Sequence, residues 1–185
     1  MNSAQEIISS NGLAGVSARE IARRIGYSPG TLYNLFESLD DLLLHVEVRL
    51  LSALDSELSQ IPINGAPEQQ LRQLTHAYSG FCRQRPHLWN LIAQHTGPNG
   101  SPAPAWYLEK LEGVIQRVEA ALAPLMPADQ RDPVAVKRAA TMLWAGVQGI
   151  ISLSTTEKLS SLASWSLDEM VDKFVATYVA GLQKA

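Results

Sequence analysis

Apolar residues recur at intervals of three and four along most of the chain, and nowhere alternate singly with polar ones over the length of a strand. That spacing predicts helices throughout and an all-α fold. One stripe comprises Leu39, Leu42, Leu43, Val46, Leu50, Leu54 and Leu58, and another comprises Leu167, Met170, Val171, Phe174, Val175, Tyr178, Val179 and Leu182. Helices are expected over 4–10, with Ile7 and Ile8 inward, then between Ser17 and Gly26, with Ile21 and Ile25 inward, and over 29–36. The long Leu39 to Leu58 helix follows, and then segments 67–83, 86–95, 103–122, 133–154 and 167–182. Punctuation sets these limits. Asn11 and Gly12 suit a helix end with positive φ, and so does Gly26. Ser17 with Glu20, and Ser38 with Asp41, have the spacing of capping boxes. Ser28 is an N-cap, and Pro29 occupies the first helical position, where a missing N–H costs nothing. The stretch IPINGAP at 61–67 is the first clear break, and TGPNGSPAP at 96–104 reads as the most flexible segment.

Two short helices joined at Gly26, Tyr27 and Ser28 make a helix-turn-helix, whose second member is short enough to lie in a DNA major groove. From Ser17 to Phe36 three arginines, Arg19, Arg23 and Arg24, stand against Glu20 alone, leaving a local charge of +2. The amides of Gly30 and Thr31 at the helix start suit a backbone phosphate, and Gly30 allows close approach. Thr31, Tyr33 and Asn34 carry groups that bond phosphates or base edges, while Leu32, Leu35 and Phe36 suit a core or groove wall.

The run SAREIARRIGYSPGTLYNLF from Ser17 to Phe36 resembles the DNA-binding signature of the TetR and AcrR family of bacterial one-component regulators, with the likeness extending over 12–45. The resemblance implies about nine helices, a DNA-reading head over 1–46 and an effector-binding and dimerising body over 47–185. It implies DNA contacts by Thr31 and Tyr33, with phosphate contacts from Arg19 and the helix start Ser28, Pro29 and Gly30. Where many members carry a lysine and a histidine or aromatic residue against phosphate, this chain has Leu39 and Leu35, which weakens each half-site. The expected partner is a palindromic double-stranded operator, bound by a homodimer. An effector would favour a conformation whose two recognition helices no longer match major grooves about 34 Å apart, with the fourth helix transmitting the shift.

In the body, the stripe from Leu167 to Leu182 and the nearly all-apolar helix before it offer more apolar surface than one small body hides. The dimer interface is therefore placed on Leu143, Gly146, Ile150, Met170, Phe174 and Tyr178. Thr141, Trp144 and Gln148 fall on another side of the same helix, mixing an aromatic with hydrogen-bonding groups as ligand pockets do. With Trp89, Trp106 and Tyr107 they form the candidate site for a small apolar or aromatic effector whose binding releases the operator. A regulator that binds DNA constitutively, or answers a protein partner or a metal, is the alternative.

Composition narrows the classes. The 185 residues carry a net charge of −3, so DNA contact has to be local. Cys82 is the only cysteine, which rules out a disulfide within the chain and favours a cytoplasmic location. The uncharged run 139–156 contains two glycines, Gln148 and five hydroxyl residues, which suits a helix buried in protein rather than in lipid, so no membrane span is expected. His76, Cys82, His87 and His95 match no metal-ligand spacing. No nucleophile elbow, phosphate loop or acid pair is present, so neither an enzyme nor a cofactor is expected.

Overall fold

The computed structural model describes residues 1–62, 65–95, 97, 102–154 and 165–184. Among them are nine α-helices and no strand. These are α1 (Asn2–Asn11), α2 (Ala18–Ile25), α3 (Pro29–Tyr33), α4 (Leu39–Ser59), α5 (Pro67–Gln84), α6 (Pro86–Gln94), α7 (Ala105–Leu122), α8 (Pro133–Ser154) and α9 (Leu167–Leu182). Parts of the two loops, at 63–64, 96 and 98–101, and the end of the uncharged run at 155–156, lie outside the described residues. None of the described helices is long and apolar enough to cross a membrane.

Local chemistry sets the helix ends. Gly12 closes α1 at φ 67°, and Gly26 closes α2 in the left-handed region at φ 74° and ψ 28°, where a Cβ would be strained. Pro86 and Pro133 open α6 and α8. The reciprocal box expected at other helix starts is complete at α9: Glu169 N–H donates to Ser166 Oγ at 3.2 Å, and Ser166 N–H donates to Glu169 Oε2 at 2.7 Å. Those bonds from Ser166 hold the Glu169 carboxyl below its ordinary range.

Two compact units result, the first made of Met1–Ala53 and Arg85–Leu111, the second of Leu54–Gln84 and Glu112–Ala185. In the first, α1 packs on α6 and α2, and α2 packs on α3. Ile7, Ile8, Ile21, Leu42, Val46 and Leu91 fill its core. Ile21 and Ala22 are buried, whereas Ile25, expected to face inward, is the last residue of α2 and 37% exposed. The segment 29–36 is helical only to Tyr33. Beyond it, the Leu35 and Phe36 amides both bond the Leu32 carbonyl as the chain turns. In the second unit α9 packs on α8 and α5, and α5 on α8. Phe81, Leu122, Leu143, Val147 and Val171 lie at its centre. Arg72 grips Asp172 at 3.0 and 2.6 Å, with His76 2.6 Å from the same carboxylate. Burial would raise the Asp172 carboxyl, but the bonds from His76 and Arg72 outweigh it and hold it low.

Candidate nucleic-acid interface and body cavity

The turn between α2 and α3 is built by caps. Ser17 Oγ accepts from the Glu20 amide at 3.1 Å, and Ser28 Oγ accepts from the Thr31 amide at 3.3 Å. Leu32 is buried and anchors α3, while Arg19, Ser28, Pro29, Gly30, Tyr33 and Asn34 are exposed and Thr31 is half-buried. All seven residues expected to meet DNA therefore lie on accessible surface of one helix-turn-helix. Tyr33 is 53% exposed and Leu35 is 73% exposed, so Leu35 is available as a groove wall and not as core. Phe36 turns inward, edge-on to His45 at 5.7 Å.

Two details differ from the sequence expectation. The Thr31 amide is already bonded to Ser28, through its carbonyl at 3.0 Å as well as its hydroxyl, so it is not free for phosphate. Glu20 does not complete a capping box. Its carboxylate accepts from Arg23 at 2.9 and 2.8 Å and from Arg24 at 3.1 Å, leaving Arg19 as the arginine of α2 without such a tether. Hydrogen bonds from Arg23 and Arg24 hold the Glu20 carboxyl down at about 2. A carboxyl lowered in the folded state adds stability above its unfolded value of 4.5, and that stability is lost as pH falls from there to about 2. Glu20→Gln should consequently be less stable than wild type at neutral pH and indistinguishable from it below about pH 2, as read from acid titrations of helicity. A difference that persists unchanged at pH 2 would assign the effect to something other than this carboxylate.

The effector candidates do not converge. Trp89 is 2% exposed in the first unit. Trp106, in the same unit, stacks on His45 with centroids 4.5 Å apart. Tyr107, also there, donates to Glu47 Oε2 at 2.8 Å. Thr141 is exposed and donates to the Lys137 carbonyl at 2.8 Å, so it faces away from any interior. In the second unit, Trp144 lines a cavity of about 20 Å³ with Leu58, Leu74, Tyr78, Val118 and Leu143. Gln148 is met from within the chain: Tyr78 O–H donates to its Oε1 at 2.5 Å, and its Nε2 donates to Ser152 Oγ at 3.1 Å.

The dimer candidates also divide. Leu143 is 1% exposed and belongs to the cavity wall. Gly146 is covered by the Phe174 ring of its own chain, which a Cβ there would overlap. Tyr178 O–H donates to the Ala139 carbonyl at 2.9 Å. These contacts are the packing of α9 on α8, and Ile150, Met170, Phe174 and Tyr178 keep only partial exposure. Exposed apolar side chains of α8 lie elsewhere, at Val134 and Met142, which are 58% and 64% exposed.

Sequence reasoning missed one buried polar cluster in the first unit. Glu47 is 2% exposed, with His95 Nδ1 2.6 Å from Oε1 and the Tyr107 hydroxyl on Oε2, while His95 Nε2 lies 3.3 Å from Asp40. Burial raises the Glu47 carboxyl against the opposing bonds from Tyr107 and His95, and burial together with Glu47 raises the Tyr107 phenol. The signal was present in the sequence: Glu47 falls at i+4 from Leu43 and i−3 from Leu50, inside an apolar stripe. Among the described residues no group of His, Cys, Asp and Glu is arranged to hold a metal ion.

Comparison with known families places residues 1–46 in the profile described as bacterial regulatory proteins, tetR family, and residues 71–178 in that of the tetracyclin repressor-like C-terminal domain. Comparison with curated protein sequences gives no match. Among solved structures, a protein of unknown function from Rhodococcus sp. RHA1 superposes with a TM-score of 0.75 at 20% identity, over 97% of this chain and 90% of that one. The fatty acid degradation regulator FadR from Bacillus halodurans gives 0.72 at 15%, over 98% and 97%. FadR from Bacillus subtilis, solved in complex with stearoyl-CoA, gives 0.66 at 16%, over 98% and 97%. At such identities the likeness establishes the fold and says nothing of a ligand.

Proposed function

The chain belongs to the TetR family and is a DNA-binding transcriptional regulator, and from that premise we propose that it represses from a palindromic operator as a homodimer and lets go when an apolar small molecule enters its body. The observation that carries this reading is the exposed turn holding Arg19, Ser28, Pro29, Gly30, Thr31, Tyr33 and Asn34 over a buried Leu32. A rigid anchor beneath and polar groups above is what groove recognition requires. Residues 1–46 read DNA in this proposal, and 47–185 dimerise and take the effector.

The dimer face we propose is displaced from the one the sequence suggested. At 100° per residue, Met142 lies on the same side of α8 as Gly146, which the Phe174 ring covers, and it is exposed. Exposed Met142, with the half-buried Ile150, Met170, Phe174 and Tyr178, supplies the apolar face that a second copy would cover in this proposal. The effector site we propose is the cavity at Trp144. It holds about 20 Å³, room for a single water, so a ligand has to part its walls. The coupling this requires is reciprocal: effector and operator weaken each other's binding by the same factor.

Operator binding by single variants tests the reading head. Thr31→Ala and Tyr33→Ala should each raise the operator Kd about tenfold or more, as loss of a base or backbone contact does, with unchanged thermal unfolding. The wild-type affinity should fall steeply with salt as phosphate contacts release counterions. Two variants that bind as tightly as wild type would remove Thr31 and Tyr33 from the interface.

A further inference from the structure

Of the three polar side chains that line the cavity of the second unit, Thr75, Tyr78 and Trp144, two have their hydrogen donated within the chain. Thr75 Oγ1 donates to the Arg72 carbonyl at 3.0 Å, and the Tyr78 hydroxyl to Gln148 at 2.5 Å. The indole Nε1 of Trp144 is sealed from solvent and finds no acceptor. A buried N–H left without a partner is rarer and costlier than a spare lone pair on a hydroxyl or carbonyl, and amounts to the loss of a whole hydrogen bond. The unmet demand of this lining residue is therefore for an acceptor, among mostly aliphatic neighbours.

Resting on the reading of this cavity as the effector site, we propose that the effector is an elongated apolar molecule whose recognised group is a carbonyl, a ketone or ester, that accepts from Trp144 Nε1. A ketone or ester oxygen accepts without bringing a donor that would itself have to be buried with a partner. Leu58 and Leu74 line both this cavity and a groove of about 380 Å³ that is also lined by Arg117 and Asp55, whose side chains bond at 2.5 Å. Those two leucines border both spaces. Turning them aside joins the two, so a chain lying in the groove delivers its carbonyl to the indole.

The test uses the full-length protein labelled with ¹⁵N at the indole nitrogens, and two probes of one shape: 2-octanone, and 2-methyl-1-octene, in which the carbonyl oxygen is a methylene. Trp144→Phe identifies the Trp144 indole resonance by its disappearance and removes the donor while keeping an aromatic wall. In the wild type 2-octanone should move the Trp144 indole proton downfield and the alkene should not. The ratio of ketone to alkene affinity should fall about tenfold in Trp144→Phe, the value of one neutral hydrogen bond, and comparing ratios cancels the cost of desolvating the ketone. If both probes bind and the ratio is the same in the two proteins, the carbonyl assignment is overturned and the cavity stands as an effector site of other specificity. If neither probe binds the wild type, the cavity itself is not the effector site and the assignment falls with it.

Discussion

Met142→Asp yields monomers by light scattering and a loss of operator affinity of about a hundredfold or more, while the helical content and unfolding midpoint of each chain stay close to wild type. The side chain is 64% exposed, so a carboxylate there remains hydrated in the monomer and costs the fold little. In the proposed dimer the same charge would be taken out of water on an apolar patch without a partner, a cost of several kcal/mol that the association cannot absorb. Two reading heads held together gain an effective concentration that a single head lacks, which sets the size of the affinity loss at about 10² or above. Leu143→Asp is the informative contrast. Leu143 is 1% exposed in the wall of the cavity, so its replacement should unfold the body and not merely separate the chains. A dimeric Met142→Asp protein that still holds its operator would place the interface elsewhere.

Glu47→Ala lowers the stability measured by urea unfolding by about 3 to 5 kcal/mol, the usual cost of removing one partner from a buried polar cluster. The carboxylate serves two groups at once, His95 at 2.6 Å and Tyr107 at 2.8 Å, and both would be left facing an apolar void inside the first unit. Tyr107→Phe keeps the ring and strips only one bond, so it should cost about 1 to 3 kcal/mol. The ordering of the two variants matters more than either value. If Tyr107→Phe proves as damaging as Glu47→Ala, the ring packing and not the carboxylate holds this region. A Glu47→Ala protein as stable as wild type would show that the cluster is maintained at no net benefit to the fold.

The reading head was legible in the sequence because its determinants are local. Ser17, Gly26, Ser28 and Pro29 each fix one helix end through bonds or dihedrals that span four residues at most, and each took the position its chemistry dictates. The limits of α8 and α9 were equally plain, since the segments 133–154 and 167–182 expected from the sequence are those observed. What the pattern did not decide was which face of α8 meets which neighbour. That helix is apolar on nearly all sides, so Leu143 and Met142 look alike in sequence, yet one closes a cavity and the other lies in solvent. Thr141 and Gln148 share a side with Trp144, but their hydrogen-bonding needs are met within the chain, by the helix backbone for the first and by Tyr78 and Ser152 for the second. The aromatic residues Trp89, Trp106 and Tyr107 went to the first unit, as core, as a stacking partner of His45 and as a partner of Glu47. Long-range pairings of this kind depend on tertiary packing, which helical periodicity does not encode.

Sequencing of genomic DNA fragments retained by the purified protein at about 150 mM salt tests the central claim most directly, run side by side with the Tyr33→Ala variant. The wild type should enrich one motif made of two inverted half-sites whose centres lie about one helical turn, or a multiple of it, apart, and the variant should lose that enrichment while remaining folded. A wild-type protein that enriches no sequence, or a Tyr33→Ala variant that retains the same motif equally well, would contradict the account of a dimeric regulator reading DNA through this turn.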